Sequence, residues 1–303
     1  MSGEGQATRC GFVALIGAPN SGKSTLINRL VGAKVSIVSP KVQTTRRRVL
    51  GVAMQGSAQI IFVDTPGIFA PKRRLDRAMV AAAWGGAEDA DRVVLLVDST
   101  KNRIDADTRA IIEGLKKSGR KAICAINKVD AVKREKLLAL AGELNALYAF
   151  EHIFMISAET GDGVEDLMAE LVAHLREGPH LFPEDQLTDL PMRMLASEVT
   201  REHLFRQLHE EVPYALTVET EAWEEFDDGS AKVTQVIFVA RDSQKAIVIG
   251  KGGSRIKQVR EAAQRELEDM MGRKLHLFLF VKVRENWQDD PERYREMGLD
   301  FEK

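Results

Sequence analysis

The 303-residue sequence predicts two folded parts in series: an α/β domain whose mainly parallel sheet is flanked by helices, then a small α+β domain. Three observations predict this. Up to about residue 177, short β-branched apolar runs alternate with helical patterns, as crossover units do. At Glu177-Gly178-Pro179 the texture changes, and two further prolines in HLFPEDQLTDLP break any regular element. Beyond them the order becomes helix, two long strands, two helices and a strand. The domains are expected at 1–177 and 192–303, with 178–191 as a linker.

Strands are expected at 11–16, 49–53, 59–63, 92–98, 121–127 and 152–157, and helices at 23–30, 107–117, 134–147 and 164–175. A parallel sheet of this kind places ligands at the carboxyl ends of its strands. In the second part, a helix is expected at 192–208, and strands at 214–226 and 232–241 joined by the hairpin turn Asp227-Asp228-Gly229-Ser230. Two helices around 250–253 and a strand at 275–284 complete it. The run LHLFLFVKV at 275–283 is more apolar than a solvated edge tolerates, so a core strand is expected there. No internal repeat or low-complexity tract interrupts this order.

Residues 17–24, GAPNSGKS, satisfy G-x-x-x-x-G-K-[ST] between the first strand and the first helix. The glycines let the backbone wrap phosphate oxygens, so that successive N–H groups and the helix N-terminus present positive charge. The phosphate-binding candidates are Gly17, Ala18, Pro19, Asn20, Ser21, Gly22, Lys23, Ser24 and Thr25. Lys23 adds a full charge and the Ser24 hydroxyl suits Mg²⁺. The pattern arises by chance in roughly one chain of this size in a hundred, and the strand–loop–helix setting sets it apart from a glycine-rich surface turn.

The base is read as guanine. NKVD at 127–130 ends an apolar strand, and the acceptor-only carboxylate of Asp130 takes two hydrogen bonds from the ring N–H and exocyclic amine of guanine. Adenine would leave it unpaired, so GTP is favoured over ATP. Asn127 and Lys128 complete this loop, and SAE at 157–159 adds Ser157 and the Ala158 backbone N–H, which suits the guanine carbonyl. DTPG at 64–67 is weak alone, since D-x-x-G occurs about once by chance in such a chain. In this order, Asp64 suits Mg²⁺ through a water and the Gly67 N–H suits the γ-phosphate. KVQTTRRR lies between the two motifs, either as a solvated basic loop or as a switch in which Thr44 or Thr45 ligates Mg²⁺; spacing does not choose between the threonines. Lys23 and Thr45 are the catalytic candidates. Ile68 follows Gly67 where Ras-like switches place a water-orienting Gln, so slow intrinsic hydrolysis is expected.

In the second part, GKGG at 250–253 follows the apolar AIVI and opens a helix with apolar residues at 256, 259, 263, 267 and 270. Without Cβ atoms at Gly250 and Gly253, such a loop approaches a nucleic-acid backbone closely, and Gly252 between them is a further RNA-binding candidate. Lys251, Arg255 and Lys257 are positioned for phosphates, with Ile249 and Ile256 as an apolar floor for bases. The plain alternative is a helix–helix turn with a solvated charged face. Trp287 and Tyr294 suit base stacking or, better, packing of a C-terminal helix. His152, His174 and His203 lack ligand spacing, so no zinc site is expected.

GAPNSGKST, QTTRRR, DTPG, NKVD and SAETG stand in the order of a translation-factor-type GTPase. Together with LFPEDQLTD, SEVTREHLFRQLHEEVPYALTVE and VIGKGGSRIKQVR, they resemble the Era family of bacterial GTPases over nearly the whole chain. The resemblance implies a P-loop GTPase domain joined to a type II KH domain that clamps single-stranded RNA. It further implies a ribosome-assembly factor that binds GTP or GDP, the 3′ end of small-subunit ribosomal RNA and the small ribosomal subunit, as a monomer and without DNA. In relatives with an apolar residue after the switch glycine, a phosphate-loop Asn helps bind K⁺; Asn20 matches it, a purely structural role being the alternative. Nucleotide state is then expected to control RNA binding, with 178–191 as the lever.

Composition excludes several classes. Cys10 and Cys124 lie in apolar strands and imply no disulfide framework. MSGEGQATRC has neither a signal core nor transit-peptide character, so the expected address is the cytoplasm. With Lys72, Arg73, Arg74 and Arg77 after the second switch, a signalling GTPase acting through protein partners at the inner-membrane surface is the alternative, with peripheral contact there. The net charge of −2 hides a split: residues 179–303 carry 18 Lys and Arg against 25 Asp and Glu, yet 241–260 hold six basic residues against one acid. That strip predicts a short, defined single-stranded site rather than indiscriminate binding of polyanions.

Overall fold

The computed structural model describes residues 7–41, 44–101, 103–209, 212–285 and 287–301. They form two compact units. The first comprises residues up to Ser36, Thr45–Asp189 and those from Met297 onward; the second comprises Ile37–Thr44 and Leu190–Glu296.

In the first unit the elements run β1 (Arg9–Gly17), α1 (Lys23–Val31), β2 (Val49–Gln55), β3 (Ala58–Asp64), α2 (Arg74–Asp89), β4 (Arg92–Asp98), α3 (Ala106–Ser118), β5 (Ile123–Asn127), α4 (Arg134–Leu147), β6 (Ile153–Met155), α5 (Val164–Ala173) and β7 (Arg176–Glu177). The sheet order is β2-β3-β1-β4-β5-β6, with β7 beside β1. β3, β1, β4, β5 and β6 are parallel, whereas β2 pairs antiparallel with β3 and β7 antiparallel with β1. Strand alternation splits β1 between two cores. Val13 and Leu15 pack with Leu26, Ile27 and Leu30 of α1 and Leu167 and Leu171 of α5. Ala14 and Ile16 pack with Ala83 and Ala87 of α2, Ile111 and Leu115 of α3, and Leu137 and Leu144 of α4. Each fully buried Leu or Ile contributes about 1.5–3 kcal/mol, so these stripes outweigh helix propensity. That is how α2 forms despite Gly85 and Gly86, where the sequence pattern alone assigns no helix. Its start carries Arg73 and Arg74, and Asp76 accepts from the backbone N–H groups of Lys72 and Arg73, which fixes the helix entry.

Residues 178–189 run along β2 and β3. Gln59 accepts from the Leu181 and Phe182 N–H groups and donates to the Phe182 carbonyl, and Val52 N–H donates to the Leu187 carbonyl. Phe182 covers Leu50, Val52, Ile61 and Val63. Cys124 is buried, which pushes its thiol pKa up, and Cys10 is half-buried beside Gln59.

The second unit runs α6 (Met192–Gln207), β8 (Leu216–Glu225), β9 (Ala231–Val239), α7 (Asp242–Ile249), α8 (Ser254–Met271), β10 (Leu275–Val283) and α9 (Pro291–Glu296). Its three-stranded sheet has the order β10-β9-β8, with β9 antiparallel to β8 and parallel to β10. Leu204, Leu208, Val248, Val259, Leu216 and Ile237 form one core, and Ala196, Val199, Ala263, Leu267, Leu275 and Leu277 another. The structure corrects the reading of LHLFLFVKV: β10 is an edge strand, with Phe278 and Phe280 45% and 52% exposed. Apolar content alone did not reveal that only alternate residues are buried. Trp287 and Tyr294 are buried, and Trp287 Nε1 donates to the Ala215 carbonyl at 3.1 Å, so both serve packing.

Candidate functional site

The motifs converge at the carboxyl ends of β1, β3, β5 and β6. β1 ends at Gly17 and α1 begins at Lys23, so Ala18–Gly22 turn tightly between them. Glycine is required at position 22: its φ is +99°, and a Cβ would lie 2.1 Å from Asn127 Nδ2. Asn20 is exposed with φ 63°, and Thr25 lies in the first turn of α1. No side chain caps α1 at its N-terminus, so the first-turn amides keep their capacity for an anion. Lys23 is buried and donates Nζ to the carbonyls of Gly17 and Ala18 at 3.0 and 3.1 Å. Burial lowers its pKa to about 8, against the opposing pull of the Asp64 charge.

A cluster of hard oxygens lies beside this turn. Ser24 Oγ donates to Asp64 Oδ2 at 2.9 Å and stands 2.9 Å from Thr45 Oγ1, which is 3.3 Å from the same Asp64 oxygen. Ser36 Oγ donates to Asp64 Oδ2 at 2.7 Å; no motif pointed to it. Burial raises the Asp64 pKa, opposed by these hydroxyls and by Lys23. Asp64 Oδ1 is buried without a hydrogen-bond partner. An orphaned carboxylate oxygen among hydroxyls is a donor set that fits Mg²⁺. Of the two switch threonines, the structure brings Thr45 to this cluster. The Thr44 hydroxyl donates to the Lys41 carbonyl at 2.7 Å, and the Thr44 carbonyl accepts from Arg201 Nη2 at 2.5 Å.

Gly67 follows β3, and a Cβ there would stand 3.0 Å from Pro19. Ile68 is buried in the core that includes Ala83 and Ala87 of α2, and its N–H donates to the Gly17 carbonyl at 3.1 Å. Its place in the core carries no group able to orient water.

Asn127 joins three loops. Its Nδ2 donates to the Ser21 carbonyl at 2.8 Å, and its Oδ1 accepts from the N–H groups of Lys128 and Ala158 at 2.8 and 2.9 Å. The Ala158 amide, expected to face the guanine carbonyl, is therefore directed at Asn127, because that buried carboxamide needs its acceptor satisfied. Ser157 is buried and its Oγ accepts from Thr160 N–H at 3.1 Å. Lys128, with φ 66°, donates to the Asn20 carbonyl at 2.8 Å and to Asp98 at 2.6 Å. Burial raises the Asp98 pKa, but hydrogen bonds from Lys128 and Thr100 leave it below the ordinary value. Asp130 is exposed at the mouth of the loop. Arg29, which no motif singled out, donates to the Ala158 and Glu159 carbonyls and braces that loop.

In the second unit, Gly250, Gly252 and Gly253 have φ of 75°, 59° and 77° and lie between α7 and α8. A Cβ on Gly250 would come 2.8 Å from Arg255 Cβ, while Gly252 and Gly253 face open space. Lys251 and Lys257 are exposed, and Ile249 and Ile256 are half-buried. Arg255 is half-buried, and its Nη1 donates to the Ile247 carbonyl near the end of α7. His152 and His174 both meet Glu170, at 3.2 and 2.9 Å, and His203 meets Glu266. Among the described residues no group of side chains is arranged to hold a metal through histidine, cysteine and carboxylate ligands.

Comparison with known proteins bears on both units. Residues 12–128 match the family of 50S ribosome-binding GTPases, and residues 211–288 match the KH domain. The GTPase Era of Rhizobium meliloti is 62% identical over 296 residues, covering 98% of this chain and 94% of the relative. That of Agrobacterium fabrum is 60% identical over 303 residues, covering 99% and 95%. A crystal structure of Era with MgGDPNP and nucleotides 1506–1542 of 16S ribosomal RNA aligns with a TM-score of 0.91 at 39% identity, covering 96% of this chain and 99% of that one. An Aquifex aeolicus Era variant bound to GDP·AlF4⁻ aligns at 0.90 with the same identity and coverage. Identity at this level across nearly the whole of both chains, with both domains matched, means that the chain belongs to the Era family of GTPases.

Proposed function

We propose that this GTPase is a nucleotide-controlled switch that binds the 3′ end of small-subunit ribosomal RNA and assists assembly of the small ribosomal subunit. Residues 1–177 are read as its nucleotide half, 178–191 as its linker and 192–303 as its RNA half, with Ile37–Thr44 grouped in the second compact unit and 178–189 and the residues from Met297 onward in the first. The observation that carries the reading is that one chain holds both the Ser24–Thr45–Asp64 oxygen cluster and the GKGG turn between α7 and α8. The relative crystallised with MgGDPNP and 16S ribosomal RNA supports it.

Ser24, Thr45 and Asp64 are the residues that hold Mg²⁺, which when bound supplies positive charge to the nucleotide phosphates. Lys23 exchanges the Gly17 and Ala18 carbonyls for phosphate oxygens. Asp130 selects guanine by accepting two N–H bonds. With Ile68 in the core and no carboxamide after Gly67, hydrolysis is slow until another group assists it. Asn20 as a K⁺ ligand is that assistance, so turnover with RNA present rises in K⁺ over Na⁺ buffer; equal rates remove K⁺ from the mechanism.

The deciding experiment replaces Gly252 and Gly253 by Asp. Both face open space, and Asp is among the residues that accept the left-handed conformation at the lowest cost, about 1 kcal/mol each, so the fold survives while two carboxylates confront the RNA backbone. RNA binding is lost and GTP binding kept. Retained RNA binding would overturn the KH assignment and favour a signalling GTPase with protein partners. No described helix is long and apolar enough to cross a membrane.

A further inference from the structure

Strand β10 alternates throughout. Leu275 and Leu277 join the core against α6 and α8, Leu279, Val281 and Val283 are half-buried, and His276, Phe278, Phe280 and Lys282 are exposed. Lys274 before the strand and Arg284 after it are exposed too and continue the period-2 row. The outward row therefore reads Lys, His, Phe, Phe, Lys, Arg, with aromatic rings at its centre, basic groups at both ends and no carboxylate. Lys282 pairs with Glu221 at 2.8 Å and Arg284 with Asp290 at 2.9 Å, both acids lying outside the row.

The same face is finished elsewhere. Phe238, in register with Lys282, lies under the Arg293 guanidinium at 4.4 Å, and Arg293 also pairs with Glu219. That covers Phe238 to 8% exposure, whereas Phe278 and Phe280 keep 45% and 52%. Two open aromatics on an edge strand invite aggregation, a liability that edges commonly avoid with charge or proline. α7, which leads into the GKGG turn, packs against the other face of β10, with Val248 beside Leu279, Val281 and Val283, so RNA leaving that turn reaches the row by crossing the edge of β10.

We propose that the outward row of β10 is a stacking platform for single-stranded RNA, which extends the GKGG site by bases laid on Phe278 and Phe280. The inference rests on the RNA reading above. Rings two residues apart stand about 7 Å from one another along a strand. They offer successive bases a π-face without sequence preference, while Lys274 and His276 at one end attend the phosphates; Lys282 and Arg284 at the other end are paired with Glu221 and Asp290. A protein partner would use the same apolar area without needing rings or a row free of acids.

The test compares two single-stranded RNAs from the 3′ end of small-subunit ribosomal RNA, about five and about twelve nucleotides long, by anisotropy with the full chain. The wild type binds the longer RNA at least about tenfold more tightly. Phe278→Ala with Phe280→Ala removes that gain and leaves the shorter RNA bound as before. Phe278→Trp with Phe280→Trp retains the gain, and Phe278→Leu with Phe280→Leu does not. The exposed positions let all three variants fold, checked by thermal melting. A gain that survives the Ala or Leu pair overturns the platform. So does a wild-type dimer in sedimentation that the Ala pair makes monomeric, since a second copy would then cover the rings. Binding of the short RNA with no gain for the long one overturns the platform alone; binding of neither overturns the RNA reading with it.

Discussion

Lys23 shows how single residues of the site trade stability for readiness. Its ammonium is buried and held by two carbonyls, an arrangement that solvates the charge less well than water does. Its pKa of about 8 records that cost. Phosphate oxygens restore the missing negative partner and raise the pKa, so nucleotide binding favours the protonated side chain. The sign follows from linkage. Below about pH 8 the free protein already carries the proton; above it, binding must take one up. Affinity for GTP therefore falls about tenfold from pH 7 to pH 9. Calorimetry in buffers of different ionisation enthalpy finds proton uptake at pH 8.5 and little at pH 6.5. Equal affinity at both ends of the range would mean that Lys23 remains charged without its ligand.

At the scale of elements, the GKGG turn separates two reasons for glycine. Gly250 combines φ 75° with a Cβ position 2.8 Å from Arg255 Cβ and 3.0 Å from Arg255 N, so Ala there meets both strain and backbone. Gly252 has φ 59° but open space. Gly250→Ala is expected to destabilise by about 2–3 kcal/mol and Gly252→Ala by about 1 kcal/mol. Urea midpoints measured on both variants check the order, and equal shifts would refute the contact argument. The motif was legible because glycine and lysine at fixed spacing report backbone geometry directly, as they do in the phosphate loop. Periodicity likewise located α3 and α4, whose apolar stripes are complete. It failed on β10, since a run that is apolar on both faces does not say which face is covered. It failed on α2, whose small residues pack closely but give little pattern. Ser36 and Arg29 were invisible for another reason: each acts on a residue far along the chain, Asp64 and Ala158, and only the fold brings them together.

For the whole molecule, charge is distributed against the simple expectation for an RNA-binding protein. Residues 179–303 hold 18 basic against 25 acidic residues, while 241–260 alone hold six basic and one acidic. Structure narrows the strip further. Lys251 and Lys257 are exposed, but Arg255 is spent on the Ile247 carbonyl and Arg260 lies 3.3 Å from Glu261. Four cations of the strip, Arg241, Lys245, Lys251 and Lys257, are then left to displace counterions, and Lys274 of the β10 row makes five, which for single strands gives a slope of about −3.5 in log affinity against log salt. The acidic remainder of that half repels RNA that does not fit, so selectivity comes from exclusion as well as contact. Lys251→Ala is expected to reduce the magnitude of the slope by about 0.7 and to weaken all bound sequences alike, because a phosphate contact reads no base. Titrations of one RNA at several salt concentrations measure both numbers. A wild-type slope near −10 would show a broad polyanion surface that this charge pattern does not contain.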